Sequence, residues 1–111
     1  TLFRSISVRV PTPNVSLVDL KFVAKRSTTP QEINEALIAA ANGPLKGVLT
    51  VTHHPLVSSD LNHDPHSCTI LLDQTKVMDG NFASIMSWYD NEWGYSCRVR
   101  DLVKYVAAKG F

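Results

Sequence analysis

The sequence predicts an α+β domain: a mostly antiparallel sheet with helices on one face, ending in a C-terminal helix. Three observations carry this. Apolar and polar residues alternate over several short runs, as in strands with two unlike faces. Most of those runs are joined by short turns rich in Gly, Pro, Asn and Asp, which favours antiparallel pairing. Two stretches, after Thr29 and after Glu92, switch to helical spacing.

The bulk properties fit one globular domain or part of one. The chain has 111 residues and 44% hydrophobic content, too apolar for a disordered segment. Its net charge is +1 and its basic residues are scattered, so it carries no footprint for nucleic acid or an anionic membrane surface. No apolar run approaches the ~20 residues of a membrane span. Cys68 and Cys97 lack metal or redox spacing and suit a reducing cytosol, so a cytoplasmic location is expected. Residues 1–5, Thr-Leu-Phe-Arg-Ser, read like the in-frame translation of a sequencing-adapter end. They are expected to be a non-native scar or a disordered end.

Ile6, Val8 and Val10 alternate with Ser7 and Arg9, giving a first strand that Pro11 and Pro13 stop. A second strand over residues 15–24 puts Leu17, Asp19 and Lys21 on one face. Val18, Leu20 and Phe22 take the other, which is the expected core face. Thr29-Pro30-Gln31-Glu32 is a helix start, with Thr29 as N-cap, Pro30 at the first helical position and Glu32 completing a capping box. Ile33, Ala36, Leu37, Ala40 and Ala41 make its buried stripe, and Asn42-Gly43-Pro44 ends it. Residues 45–52 read as a third strand, 56–61 as a short extended segment and 62–67 as a turn-rich loop. Strands follow at 68–72 and 74–78, with a hairpin turn at Asp79-Gly80-Asn81. In the strand 82–88, Phe82, Ser84, Met86 and Trp88 share one face and Ala83, Ile85 and Ser87 the other. Beyond it, Tyr95, Val99, Leu102, Val103 and Val106 form an apolar helical stripe.

Asp90-Asn91-Glu92 therefore sits where a strand hands over to a helix, in a stretch holding both tryptophans. Asp or Asn there caps free backbone N–H groups, and Glu suits the positive end of the helix dipole. An asparagine amide both donates and accepts, so Asn91 can bond a backbone group and still face a carboxamide ligand. On spacing alone, a helix cap with buried aromatics is the simpler reading. Arg9, the one charge in its strand, is either a rigid phosphate receptor or a surface arginine, and the sequence leaves the two even.

Other candidates fall away. Pro65 keeps His63 and His66 off a shared helical face, and His53 and His54 are adjacent, so no metal site is expected. Cys68 opens the apolar run Ile70-Leu71-Leu72 and reads as a half-buried packing residue rather than a nucleophile. The glycines form neither a dinucleotide fingerprint nor a P-loop.

Two motifs together say more. Arg9-Val10-Pro11-Thr12-Pro13-Asn14-Val15-Ser16 and Trp88-Tyr89-Asp90-Asn91-Glu92-Trp93-Gly94-Tyr95-Ser96 resemble phosphorylating glyceraldehyde-3-phosphate dehydrogenase. Gly43-Pro44-Leu45-Lys46-Gly47 and Leu56-Val57-Ser58-Ser59-Asp60 lie between them in matching order. The resemblance implies that residues 6–111 are the C-terminal portion of that family's catalytic domain, without its N-terminal NAD-binding domain. It implies that Arg9 binds a phosphate of the sugar substrate or inorganic phosphate, that Asn91 bonds the nicotinamide carboxamide of NAD, and that Tyr95 packs near the nicotinamide. Ser67-Cys68-Thr69 falls where relatives commonly carry Ser-Ser-Thr. The family's reaction runs through a thiohemiacetal on a cysteine in an S-C-T-T-N motif, with a histidine base downstream. Neither is present here, so this fragment holds no catalytic residue and is expected to be inactive alone. The full-length protein is expected to use NAD, with NADP left open, and to form a homotetramer whose sheets pack face to face. The sister erythrose-4-phosphate dehydrogenase shares these residues, and a stand-alone non-catalytic assembly module is the alternative from a different class.

Overall fold

The alternating run at residues 82–89 becomes the middle strand of a six-stranded sheet. The computed structural model describes residues 3–8 and 11–110, with 3, 7 and 8 by backbone only. The strands are β1 (Phe3–Val8), β2 (Ser16–Val23), β3 (Leu49–Thr52), β4 (Cys68–Leu71), β5 (Lys76–Met78) and β6 (Phe82–Tyr89). Helix α1 (Pro30–Asn42) follows β2, and α2 (Trp93–Ala108) follows β6. The sheet order is β1-β2-β6-β4-β3, with β5 also pairing β6.

One edge of β6 pairs antiparallel with β2, from Ser16 opposite Tyr89 to Val23 opposite Phe82. The other edge is shared, β4 meeting Ser87 and Trp88 while β5 meets 82–84. Between β4 and β5, Leu72–Gln74 forms a 3-10 turn, so the two strands expected at 68–72 and 74–78 are present but shorter, and both pair with β6. Asp79 and Gly80 both take positive φ, 53° and 79°, as a tight reversal into β6 requires.

The two faces of the sheet match their sequence alternation. Ala83 is fully buried, Ile85 is 7% exposed, and Ile85 joins Leu49, Ile70 and Leu72 in a core that Phe22 also packs against. Helix α1 lies on this face through Ile33, Leu37, Ile38, Ala40 and Ala41. Ala36, expected in the stripe, is exposed, and Ile38 packs instead. Thr29 Oγ1 accepts from the Glu32 N–H at 3.2 Å, with Pro30 in the first turn as the sequence predicts. The Glu32 carboxylate does not close the box. It accepts from Thr28 Oγ1 at 2.9 Å and pairs with Arg26. On the opposite face, Asp19 pairs with Lys21 and accepts from Ser84 Oγ at 3.1 Å, which keeps that face mixed in character.

Several boundaries differ for local reasons. β3 begins at Leu49 rather than Leu45, because the Val48 and Leu49 N–H groups both turn back to Leu45 O and Gly47 takes φ +81°. Ser58–Leu61 is a 3-10 turn rather than extended. The Asp60 carboxylate accepts from the Val57 N–H at 2.9 Å, and Leu61 is 3% exposed. β3 and β4 run parallel, an exception to the antiparallel expectation that the long 53–67 connection permits. β1 starts at Phe3, earlier than the predicted 6–10, and pairs Phe3 with Phe22 through Val8 with Leu17.

The largest difference is in α2. The helix forms as its spacing predicts, but Tyr95, Val99, Leu102, Val103 and Val106 are all exposed, Leu102 at 60% and Val103 at 63%. Only Gly94 and Cys97 are buried in it. Periodicity fixes which residues share a face, not whether these 111 residues cover it.

Ile85→Ala should destabilise the protein by about 2–5 kcal/mol, and Thr29→Ala by about 1 kcal/mol. Urea unfolding midpoints check the order, and an Ile85→Ala cost below that of Thr29→Ala would contradict the placement of the core.

Candidate functional site

The register pairing Ser16 with Tyr89 sets the turn before β2 beside the residues that leave β6. Two segments 76 positions apart in sequence thereby meet. Asn91 Oδ1 accepts from the Val15 N–H at 3.0 Å. A backbone N–H can only donate, so the carbonyl end of the Asn91 amide must face it, and Nδ2 keeps two donors on an exposed residue. Among the described residues no acceptor engages Nδ2.

Asp90, not Asn91, caps the helix. Its Oδ1 accepts from the Glu92 N–H at 3.0 Å and the Trp93 N–H at 2.8 Å, and its backbone oxygen accepts from the Gly94 N–H at 3.1 Å. Its Oδ2 accepts from Asn14 Nδ2 at 2.9 Å and from the His63 N–H at 2.9 Å. At 1% exposure, one carboxylate thus joins the turn before β2, the loop before β4 and the start of α2. Burial pushes the Asp90 carboxyl up, but the bonds from Trp93, His63, Glu92 and Asn14 outweigh it and leave it below the ordinary aspartate range.

The surroundings are held in unusual backbone states. Val15 takes φ +75° at 5% exposure, a region that costs a β-branched residue roughly 1–3 kcal/mol. His63 takes φ +63°, and its ring stacks on Trp93 with centroids 4.4 Å apart. His66 Nδ1 lies 2.7 Å from Asp64 Oδ1, and the same oxygen accepts from the His66 N–H at 2.9 Å, which shapes the loop under α2. Arg98 donates to Gly47 O at 3.3 Å and Ser67 Oγ at 3.2 Å, securing the next turn of the helix.

The structure treats the sequence candidates unequally. Asn91 sits at the strand-to-helix junction as expected, with a long-range backbone partner. Tyr95 lies one helical turn on and is 73% exposed. Arg9 lies outside the described residues. Cys68 packs against the core and burial pushes its thiol up, the reverse of what a nucleophile needs. His63 and His66 serve separate contacts, and among the described residues no group of three His, Cys, Asp or Glu gathers to hold a metal. The sequence marks Asp90 as a helix cap but not as a hub, and nothing local marks Asn14 as its partner.

Comparison with known proteins places the chain in a family. The family model described as "Glyceraldehyde 3-phosphate dehydrogenase, C-terminal domain" matches residues 2–91. Proteins named glyceraldehyde-3-phosphate dehydrogenase are similar over most of the chain. That of Xanthobacter flavus is 63% identical over 95 residues, covering 86% of this chain and 28% of the relative. That of Cereibacter sphaeroides is 64% identical over 96 residues, covering 86% and 29%. That of Priestia megaterium is 53% identical over 104 residues, covering 94% and 31%. The chain thus spans less than a third of the length of these curated relatives.

Two outcomes follow from the junction. A Cβ at Gly94 would lie 2.9 Å from His66 O, a backbone atom with little room to give. Gly94→Ala should therefore destabilise, although Gly to Ala inside a helix ordinarily gains about 1 kcal/mol. A raised thermal midpoint would contradict the close approach. The folded Asp90 carboxyl titrates below its unfolded value of about 3.9, so its stabilisation is full above that pH. It shrinks as pH falls and is lost on passing the lowered folded value. Asp90→Asn should flatten the acid limb of stability below the unfolded value of about 3.9, and an unchanged limb would contradict the network.

Proposed function

Because the chain belongs to the glyceraldehyde 3-phosphate dehydrogenase C-terminal-domain family, we propose that residues 6–111 are the C-terminal portion of the catalytic domain of an NAD(P)-dependent enzyme. That enzyme oxidises and phosphorylates glyceraldehyde 3-phosphate to 1,3-bisphosphoglycerate. The observation that carries this reading is the Asn91 amide on an exposed residue, with its oxygen engaged by the Val15 N–H and, among the described residues, no acceptor on Nδ2.

The donor set fits a nicotinamide. A carboxamide oxygen is an acceptor, and Asn91 offers Nδ2 from a fixed position at the end of a central strand. The cofactor, when bound, supplies the hydride acceptor. This chain's residues orient it: Asn91 donates to the carboxamide and so selects which ring face the substrate meets. Tyr95, exposed one turn along α2, would pack near the nicotinamide once the cofactor is bound. Arg9 holds a phosphate of the sugar or inorganic phosphate through paired donors. The thiol nucleophile and its base belong to the part of the protein beyond these residues.

The exposed stripe of α2 and the half-exposed Ile6, at 53%, support further assembly. The remainder of the protein covers α2, and the sheet face opposite α1 packs on a second copy in a homotetramer. The enzyme works in the cytoplasm without nucleic-acid or membrane partners. Among the described residues no helix is long and apolar enough to cross a membrane.

In the intact protein, Arg9→Ala should raise KM for the sugar phosphate and for inorganic phosphate. Asn91→Ala should lower kcat/KM for NAD by about tenfold, the upper worth of one positioned neutral hydrogen bond. Steady-state kinetics check both. Equal losses in both variants, traced to unfolding, would contradict the division of roles, and no turnover of glyceraldehyde 3-phosphate by the unmodified protein would contradict the function.

A further inference from the structure

We infer that Asp90 is a positioning residue for cofactor recognition: its buried carboxylate ties Asn14 and the first turn of α2 together on either side of Asn91. The Val15 N–H is thereby kept on the Asn91 oxygen, and Nδ2 on the carboxamide. The inference rests on the reading of Asn91 given above.

Asn91 is an exposed side chain with one recorded partner, the Val15 N–H at 3.0 Å. That partner is itself poorly determined by local preference. Val15 is β-branched and sits at φ +75°, a conformation that persists only where surrounding contacts over-determine it. β2 begins only at Ser16, so the strand ladder does not reach back to fix this turn. Apart from the Asn91 contact itself and the burial of Val15, the side-chain bond on this turn is Asn14 Nδ2 to Asp90 Oδ2, at 2.9 Å.

Asp90 acts in the other direction through Oδ1. Its bonds to the Glu92 and Trp93 N–H groups set where α2 begins, and therefore the path of the chain through Asn91. The His63 N–H on Oδ2 brings in a third segment, whose imidazole stacks on Trp93 and steadies that first turn. Four donors converge on one carboxylate at 1% exposure, more than a helix cap alone uses. A simple cap would be satisfied by Oδ1. The second oxygen is spent on the segment that carries the Asn91 partner, and this ties the residue to recognition.

The geometry also supplies variants that separate the two jobs. Asp90→Asn keeps an oxygen for the Glu92 and Trp93 N–H groups, and asparagine caps helices well. Its NH2 would then face the His63 N–H, so that contact is lost, and the tie to Asn14 is reduced to a neutral amide pair that requires Asn14 to turn its unpaired Oδ1 inward. Asn14→Ala cuts the same tie without touching the cap.

The test uses the intact protein and the ratio of kcat/KM for NAD to that for thionicotinamide adenine dinucleotide, whose sulfur is a weak hydrogen-bond acceptor. Asn91→Ala should lower this preference by about tenfold. Asp90→Asn and Asn14→Ala should each lower it several-fold toward the Asn91→Ala value, and the double variant Asp90→Asn/Asn91→Ala should lower it no further than Asn91→Ala alone. A purely structural role would reduce the folded fraction and both rates together, leaving the ratio unmoved. If Asn91→Ala lowers the preference while folded Asp90→Asn and Asn14→Ala keep it, the positioning role is overturned and the Asn91 reading stands. If Asn91→Ala itself keeps the preference, both fall. Should Asp90→Asn fail to fold, Asn14→Ala decides alone.

Discussion

A single buried carboxylate holds this end of the molecule together. Asp90 is 1% exposed and accepts from Asn14, His63, Glu92 and Trp93, groups that belong to three segments far apart in sequence. An ionised carboxylate offers two oxygens with room for about four donors, and here each is used. Removing it would leave backbone N–H groups at the start of α2 without partners and would free the turn carrying Val15. The depressed titration of Asp90 is the same fact seen as a proton equilibrium: donors stabilise the charge more than burial penalises it.

The sheet order explains why such a hub is available. β6 lies between β2 on one edge and β4 and β5 on the other, and β2 and β4 both run antiparallel to it. The C-terminal end of β6 is therefore flanked by what precedes β2 and what precedes β4. These are the segments containing Asn14–Val15 and His63–Ser67. Residues 14–16 and 88–93, parts of the two motifs that stand near opposite ends of the chain, are brought to one end of the sheet by pairing, and α2 springs from the same point. Its closest approach to the loop is set by Gly94, where any side chain would meet the His66 carbonyl.

Much of the fold was legible because its signals are local. Thr29 and Pro30 mark a helix start whatever surrounds them, and the alternation at residues 82–89 named the core face, with Ala83 and Ile85 inside. The strand-to-helix junction at 90–92 was equally local. What was not legible depends on partners distant in sequence. Nothing near Asn91 indicates that its oxygen meets the Val15 N–H, and nothing near Asn14 announces Asp90. The parallel pairing of β3 with β4 depends on a long connection folding back, not on either strand. The stripe on α2 shows the limit most plainly. Its spacing is that of a buried face, yet Leu102 and Val103 remain exposed in a chain spanning less than a third of its relatives' length. A pattern of residues states what wants covering and not what covers it.

If Asn91 is held by its oxygen so that its nitrogen is free for a carboxamide, a crystal structure of the intact protein with bound NAD will show Asn91 Nδ2 about 3 Å from the carboxamide oxygen, with the Val15 N–H still on Oδ1 and Asp90 still joining Asn14 to His63. A cofactor whose carboxamide is held by other residues, or an Asn91 that has released Val15 to reach it, would rule this out.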